Sequence, residues 1–294
     1  MFNPIDNSHV VDCYEKDLNY RIIINKEFSS SCTVVYFSSN GIYYPNKLET
    51  FRKAIINEDR FEWKNEHSQI NNPSKIIFIR DIYKQWYLKG INKQINNLDK
   101  LISFIRQENT EEKLILIGVS SGGFVASLIG AKLNANMVFS FSGQFTLLPM
   151  LNSNKNIIVD ALYAEWSKYY NLKTILEKTN STIFYFACNH SEVDKEDIKI
   201  ALELKCVHPF IFNCSKHGVP FPFRLLKKVI SSDHGKLIQL EKKYSKKNIN
   251  SKYFCKDYFT TIENYKSLAR YFFFRVKKLS MRLVKTNREL KVEK

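Results

Sequence analysis

Several features that mark metal-binding, secreted or membrane proteins are missing from this sequence. The six cysteines, at positions 13, 32, 188, 206, 214 and 255, include no Cys-x-x-Cys pair, which argues against a zinc site and a disulfide framework. Several lie in apolar strand-like runs, so we expect buried, reduced thiols. The N-terminus has no basic start followed by an apolar core, and no apolar run approaches the roughly 18 to 20 residues that span a membrane. We therefore expect a cytoplasmic protein.

Acidic residues are too few to balance the basic ones. Lys and Arg number 45 against 29 Asp and Glu, which gives a formal net charge of +16. Much of the excess lies beyond Arg224. It is explained either by contact of the C-terminal region with an anionic surface or by a compositional bias of the source genome. No nucleic-acid-binding motif is present, so we expect no specific nucleic-acid partner.

Apolar runs rich in β-branched and aromatic residues alternate with segments of helical spacing. Seven runs predict strands, at residues 20–25, 32–37, 75–79, 114–117, 137–142, 182–188 and 207–212. Helical spacing is clearest at residues 91–107 and 196–204. The alternation predicts an α/β fold with a doubly wound, mostly parallel sheet and reactive groups at the carboxyl ends of its strands. We expect this core at residues 1–222, with 145–179 as a candidate helical cap, and a basic helical segment at 223–294 packing on it.

The residues from 114 to 128 carry the strongest functional signal. An apolar run typical of a strand buried on both faces leads into Gly118-Val119-Ser120-Ser121-Gly122, and helical spacing follows. Gly-x-Ser-x-Gly between a strand and a helix resembles the nucleophile elbow of the α/β-hydrolases. Side chains two residues before or after the serine would collide with the neighbouring strand and helix, so glycine is needed there. Ser120 is the predicted nucleophile.

A serine hydroxyl needs a base to take its proton, and in this family the base follows the serine and the acid along the chain. Four histidines precede the serine, lie inside a strand or stand where the acid is expected: His9, His67, His208 and His190. His217 follows the last predicted strand by a few residues and is the predicted base. His234, farther into the C-terminal region, is the alternative.

The acid has to orient the imidazole and stabilise its charged form. It is expected in the loop after the sixth strand, which offers three carboxylates: Glu192, Asp194 and Asp197. We predict Asp194, because Asp197 falls in the helix that follows and Glu192 is close to the strand end.

The oxyanion of an acyl-transfer reaction needs two preorganised backbone N–H donors. One is the N–H of Ser121, directly after the predicted nucleophile. The other is expected from the loop after the second strand, at residues 38–41, where Ser39 and Asn40 are both candidates.

A polar and aromatic segment follows the third predicted strand. Arg80 and Asp81 close the strand, and Trp86 and Tyr87 come shortly after. Arg80, Asp81 and Trp86 are candidates for substrate binding, since aromatic faces suit sugar rings. An internal ion pair with aromatic packing is the commoner role for such residues.

These features resemble the α/β-hydrolase superfamily over residues 20–222. The resemblance is carried by the sequence Gly-Val-Ser-Ser-Gly-Gly at 118–123, by the acidic loop after the next-to-last strand, and by His217-Gly218. The 80–87 segment and the Ser-Ser-Gly-Gly turn are also similar to hydrolase-like proteins of bacterial surface-polysaccharide loci, some of which are capsule O-acetyltransferases. The chain departs from the commonest esterase pattern because it has no His-Gly-Gly-Gly motif.

The resemblance implies a serine hydrolase that acts through an acyl-enzyme, on an acylated carbohydrate or a small ester, without a metal or cofactor. An O-acyltransferase would resolve the same acyl-enzyme with a sugar hydroxyl, and acetyl-CoA would be its co-substrate. A third hypothesis, from a different class, is a non-catalytic binding protein that docks through its basic C-terminal region.

Overall fold

The computed structural model describes residues 2–25, 30–64, 70, 72–151, 168–245 and 247–259. The chain forms two compact units, residues 1–249 and 250–294. The described part of the second unit holds one short helix, Ser251–Lys256. The side chain of Asn250 caps this helix by accepting the N–H of Lys252 at 2.9 Å. Within the described ranges, no helix is long and apolar enough to cross a membrane.

The first unit is built on one seven-stranded sheet. In chain order the strands are β1 Tyr20–Ile24, β2 Ser30–Phe37, β3 Pro73–Ile79, β4 Lys113–Val119, β5 Met137–Phe141, β6 Thr182–Cys188 and β7 Val207–Phe212. Their order in the sheet is β1-β3-β2-β4-β5-β6-β7. β1 is antiparallel to β3, and all other neighbouring pairs are parallel. The predicted mostly parallel sheet is confirmed, and β4, which leads to Ser120, lies at its centre.

Helices flank the strands of the sheet. They are α1 Ser8–Lys16, α2 Leu48–Phe51 with a π-helical continuation over Arg52–Asn57, α3 Leu98–Glu108, α4 Ser121–Leu133, α5 Leu148–Leu151, α6 Lys173–Leu176, α7 Lys195–Glu203, α8 Phe223–Ile230 and α9 His234–Tyr244. The predicted helix at 196–204 matches α7 to within one residue.

The predicted helix at residues 91–107 is wrong in its first part, because α3 begins only at Leu98. Asn97 caps α3 by accepting the N–H of Lys100 at 2.8 Å. Before it, the side chain of Asn92 accepts the N–H of Ile95 at 2.8 Å and closes a separate turn. Asparagine side chains that bond nearby backbone groups compete with a continuous helix, and two of them do so here.

The central strands β4, β5 and β6 are buried on both faces, as their near-continuous apolar sequences predict. On one face lies α4, which is buried from Ser121 to Ala131 and packs against β4 and β5. A row of stacked rings crosses the strands β5, β6 and β7, with the centroids of Phe141 and Phe186 4.9 Å apart and those of Phe186 and Phe210 4.8 Å apart. This packing fixes the ends of β5, β6 and β7, and the last two of these strands precede the predicted acid and base.

The compact first unit extends beyond residue 222, where we expected the core to end. The backbone at Ile249 pairs beside β7: its N–H donates to the carbonyl of Ile211 at 2.7 Å, and its carbonyl accepts the N–H of Asn213 at 2.9 Å. Helix α8 buries four apolar residues, Leu225, Leu226, Val229 and Ile230. Residues 223–249 thus belong to the first unit, and the packing of the remaining segment on the core stays a prediction.

The predicted cap at 145–179 lies partly outside the described residues, which omit 152–167. Its two ends are held together by backbone hydrogen bonds. The N–H of Leu147 donates to the carbonyl of Tyr170 at 2.7 Å, and the N–H of Leu172 donates to the carbonyl of Phe145 at 2.8 Å. The described residues at the two ends of this segment therefore lie side by side, close to the carboxyl end of β5.

One pair of cysteines departs from the expectation of six reduced thiols. Cys188, the last residue of β6, and Cys214, two residues after β7, form a disulfide with their Cα atoms 5.1 Å apart. The other four cysteines form no disulfide. The pair was not apparent from the sequence because the two residues are 26 positions apart and meet only when β6 and β7 lie side by side.

Candidate active site

A sharp turn carries the chain from β4 into α4 at Ser120. The residue has φ +54° and ψ −122°, a sparsely populated conformation for a residue other than glycine that costs about 1 to 3 kcal/mol. A Cβ atom on Gly118 would lie 2.0 Å from the carbonyl oxygen of Gly122, and one on Gly122 would lie 2.5 Å from the carbonyl oxygen of Phe37. The predicted steric need for glycine at both positions is confirmed.

The side chains of Ser120, His217 and Asp194 form one hydrogen-bonded chain. Nε2 of His217 lies 2.8 Å from Oγ of Ser120, and its Nδ1 lies 2.6 Å from Oδ1 of Asp194. An ionised carboxylate only accepts, so Nδ1 carries the proton and Nε2 is left to accept from the serine hydroxyl. Asp194 is almost fully buried at 1% exposure, whereas the His217 side chain is 30% exposed. The buried acid fixes the ring, and the ring faces the serine.

The other histidines in the described ranges contact groups outside this chain of hydrogen bonds. The alternative base, His234, lies 3.3 Å from the hydroxyl of Thr182. His190 contacts Asn213, and His208 lies near Glu241. Among the histidines that the structure describes, His217 is the one placed against Ser120.

The other two acidic candidates have different surroundings. Glu192 is exposed and pairs with Lys195 at 2.7 Å. Asp197 is buried, but its Oδ1 accepts the N–H groups of Phe145 and Thr146 at 2.6 and 3.1 Å. Asp194 is thus the carboxylate in contact with the histidine.

The order of these groups in the sheet settles the type of fold. A strained serine turn follows the central strand of a mostly parallel sheet, an acidic loop follows β6, and the histidine loop follows β7. The chain has an α/β-hydrolase fold.

Comparisons with known proteins give α/β-hydrolase-like structures at low sequence identity. No family model and no curated protein matches the sequence. Among solved structures, a capsule O-acetyltransferase of Neisseria meningitidis serogroup A is 11% identical, with 77% of this chain and 89% of that one covered and a TM-score of 0.48. A lipase-esterase related protein from Clostridium acetobutylicum is 14% identical, with 76% and 98% covered and a TM-score of 0.42. The Wnt deacylase Notum from Drosophila is 11% identical, with 68% and 80% covered and a TM-score of 0.41.

The predicted oxyanion donors in this α/β-hydrolase fold differ in their hydrogen bonding. Within the described ranges, the N–H of Ser121 donates no hydrogen bond. The N–H of Asn40 donates to Oγ of Ser121 at 2.9 Å, and that hydroxyl donates back to Oδ1 of Asn40 at 3.0 Å. The N–H of Ser39 donates to the carboxylate of Glu62. Ser121 thus has a free donor beside Ser120, whereas Ser39 and Asn40 have their N–H groups engaged, and their role stays a prediction.

Arg80 and Asp81 both have protein partners inside the fold. Arg80 is 2% exposed and pairs with Asp59 at 3.0 Å. Burial lowers the pKa of Arg80, and the charge of Asp59 opposes this shift. The carboxylate of Asp81 accepts four backbone N–H groups, those of Tyr83, Lys84, Gln85 and Tyr87. Burial nevertheless raises the pKa of Asp81 to about 6. These contacts shape the loop after β3.

Trp86, the third predicted substrate contact, is also buried. It is 5% exposed, and its indole N–H donates to Oε1 of Gln144 at 3.1 Å. With Arg80 and Asp81 engaged as well, these contacts match the internal ion pair and aromatic packing that the sequence left open as the commoner role. Direct contact of any of the three residues with substrate stays a prediction.

Two polar residues of the site were missed at the sequence level. Glu62 holds the loop after β2, since its carboxylate also accepts from the hydroxyl of Ser39 at 3.0 Å. The hydroxyl of Ser142 lies 2.8 Å from Oδ2 of Asp194. The only available signal for Ser142 was its place at the carboxyl end of a strand. Within the described residues, no cluster of three or more His, Cys, Asp or Glu side chains could hold a metal ion.

Proposed function

We propose that this protein is a serine hydrolase that cleaves an ester through an acyl-enzyme at Ser120. The contact of His217 Nε2 with Ser120 Oγ, at 2.8 Å, carries the proposal. His217 takes the hydroxyl proton as Ser120 attacks the ester carbonyl, and Asp194 stabilises the imidazolium that forms. The N–H of Ser121 donates to the oxyanion. His217 then protonates the leaving alcohol, water enters as the second nucleophile, and the acid is released.

An acylated carbohydrate or a small ester is the proposed substrate class. The same acyl-enzyme also serves an O-acyltransferase, which differs in its acyl donor and in the group that resolves the acyl-enzyme. A sugar hydroxyl in place of water would make the protein a transferase, with acetyl-CoA as the acyl donor. The hydrogen bonds of Ser120, His217 and Asp194 support the acyl-enzyme in both cases.

Labelling with a fluorophosphonate probe, which reacts with an activated serine, tests the nucleophile and the base. We expect the wild-type chain to be labelled, Ser120→Ala to be unlabelled, and His217→Ala to react at least about a thousandfold more slowly. His234→Ala is the matched control, because His234 contacts Thr182 instead of Ser120. Full labelling of Ser120→Ala would rule out this nucleophile.

Incubation with acetyl-CoA separates hydrolysis from transfer. A hydrolase releases CoA or the acid at a rate that is independent of added polysaccharide, whereas a transferase releases CoA only when an acceptor is present. Absence of labelling together with absence of turnover would instead favour the non-catalytic binding protein.

A further inference from the structure

Ser142 lies directly after β5, in an unusual backbone conformation. Its φ is +46°, which is uncommon for a residue other than glycine or asparagine. Its N–H donates to the carbonyl of Phe186 at 2.7 Å, and the residue is 1% exposed. A strained conformation of this kind persists only where the surrounding contacts determine it.

The hydroxyl of Ser142 meets both loops that carry the predicted acid and base. Its Oγ lies 2.8 Å from Oδ2 of Asp194, and 3.0 and 3.1 Å from the N and O atoms of Gly218. A hydroxyl has one hydrogen, so it donates to one acceptor at a time. The ionised carboxylate is the closer and stronger acceptor, and the N–H of Gly218 donates to the hydroxyl in return.

The two oxygens of Asp194 therefore have separate tasks. Oδ1 accepts from His217 Nδ1, while Oδ2 is held by Ser142 and, at 3.3 Å, by the N–H of Cys188. Because the hydroxyl fixes Oδ2, rotation of the carboxylate is blocked and Oδ1 stays aimed at the imidazole. The same hydroxyl holds Gly218, whose peptide bond joins it to His217.

We propose that Ser142 is a positioning residue that aligns Asp194 and His217 for the reaction at Ser120. This inference rests on the proposed function. Ser142 does not contact the reacting atoms, so its effect passes through the orientation of the carboxylate and of the histidine loop.

Two variants separate the hydroxyl from the backbone. Ser142→Ala removes the hydroxyl but leaves a residue for which the positive φ is unfavourable. Ser142→Gly also removes the hydroxyl, and glycine adopts this φ without strain. With p-nitrophenyl acetate as the probe ester, we expect both variants to lower kcat by about 10- to 100-fold with KM nearly unchanged. Ser140→Ala is the matched control: Ser140 lies two residues earlier, on β5, and is fully buried, but its hydroxyl lies 3.3 Å from the carbonyl of Gly123. We expect this control to keep wild-type kcat.

A second measurement follows the hydrogen bond itself. The low-field proton resonance of His217 Nδ1–H, recorded by NMR on the full chain, should be present in the wild type and in Ser140→Ala. It should broaden or vanish in both Ser142 variants, at a temperature where thermal unfolding shows them folded. Ser142→Gly provides the measurement if Ser142→Ala does not fold.

The outcomes distinguish this inference from the proposed function. Wild-type kcat and an unchanged Nδ1–H resonance in Ser142→Gly would overturn the positioning role and leave the serine hydrolase intact. A wild-type chain that is neither labelled nor active would overturn the proposed function, and the resonance would still decide whether Ser142 orders Asp194 and His217. A loss of kcat in Ser142→Ala that Ser142→Gly fully restores would assign the effect to the backbone and also overturn the inference.

Discussion

The carboxyl group of Asp197 is a buried titratable group close to the candidate site. It is 3% exposed, and burial raises its pKa to about 7 although two backbone N–H groups favour the ionised form. The pKa of an aspartate in an unfolded chain is about 3.9. Between these two pH values the folded chain holds a proton that the unfolded chain has released. The free energy of unfolding therefore falls as the pH rises through this window.

Asp197→Asn should remove that pH dependence. The amide oxygen can accept the same N–H groups of Phe145 and Thr146 without a charge to desolvate. We expect the stability of the variant relative to the wild type to rise by up to about 4 kcal/mol between pH 4 and pH 8. Urea unfolding at each pH measures it. Glu196→Gln, at an exposed position of the same helix, is the control. A difference that stays constant over this range would show that Asp197 does not ionise in it.

Some residues of the candidate site could be predicted from the sequence around them, and others could not. The sharp turn at Ser120 was predictable because it needs glycines two positions away on either side. The placement of His217 was predictable because few histidines follow a strand at a suitable point of the chain. The contacts of the Ser142 hydroxyl could not be predicted from local sequence. Its partner Asp194 is 52 positions away and its partner Gly218 is 76 away. Such contacts depend on which strand ends become neighbours in the sheet.

Among the elements, the strands were easier to predict than the helix starts. β6 and β7 coincide with the predicted ranges because aromatic and β-branched residues end abruptly at polar loops. The start of α3 could not be predicted from spacing alone, because its apolar period continues upstream while Asn92 and Asn97 bind the backbone. The antiparallel pairing of β1 with β3 is set by contacts across the sheet and leaves no local signal.

The disulfide ties together the two elements that carry the predicted acid and base. Cys188 ends β6 before the Asp194 loop, and Cys214 precedes His217 by three residues. Closing a loop of this length stabilises a fold by about 3.5 kcal/mol in the chain-entropy account. Disulfides are rare in the cytosol, so the presence of this bond conflicts with the predicted cytoplasmic location.

Reduction should therefore lower the thermal unfolding midpoint of the wild-type chain. We expect the double variant Cys188→Ser/Cys214→Ser to melt at the lower temperature with or without a thiol reductant. Cys206→Ser, which alters a free cysteine, should keep the response of the wild type. Alkylation before and after reduction, read by mass spectrometry, counts the bonded thiols. Six alkylated cysteines without reductant, together with an unchanged midpoint, would refute the bond in solution.

At the scale of the whole molecule, the charge of +16 needs either a partner or a bias in composition to explain it. The residues from 260 to the end hold ten Lys or Arg and three Asp or Glu. Each basic residue near an anionic membrane surface contributes about 1 kcal/mol at physiological ionic strength. If the C-terminal cluster is a docking site, it should bind anionic lipid. If the charge reflects a uniform compositional bias, the C-terminal segment should contribute no more to lipid binding than other segments do.

Sedimentation with lipid vesicles distinguishes the two interpretations. We expect the full chain to sediment with phosphatidylglycerol vesicles at low salt, to be released as salt screens the charges, and to ignore neutral phosphatidylcholine vesicles. A chain that ends at Phe259 loses a net charge of seven and should bind much more weakly. Its labelling by the fluorophosphonate probe reports whether Ser120 remains reactive. Equal sedimentation of the two chains would contradict a C-terminal docking role and favour a compositional origin of the charge.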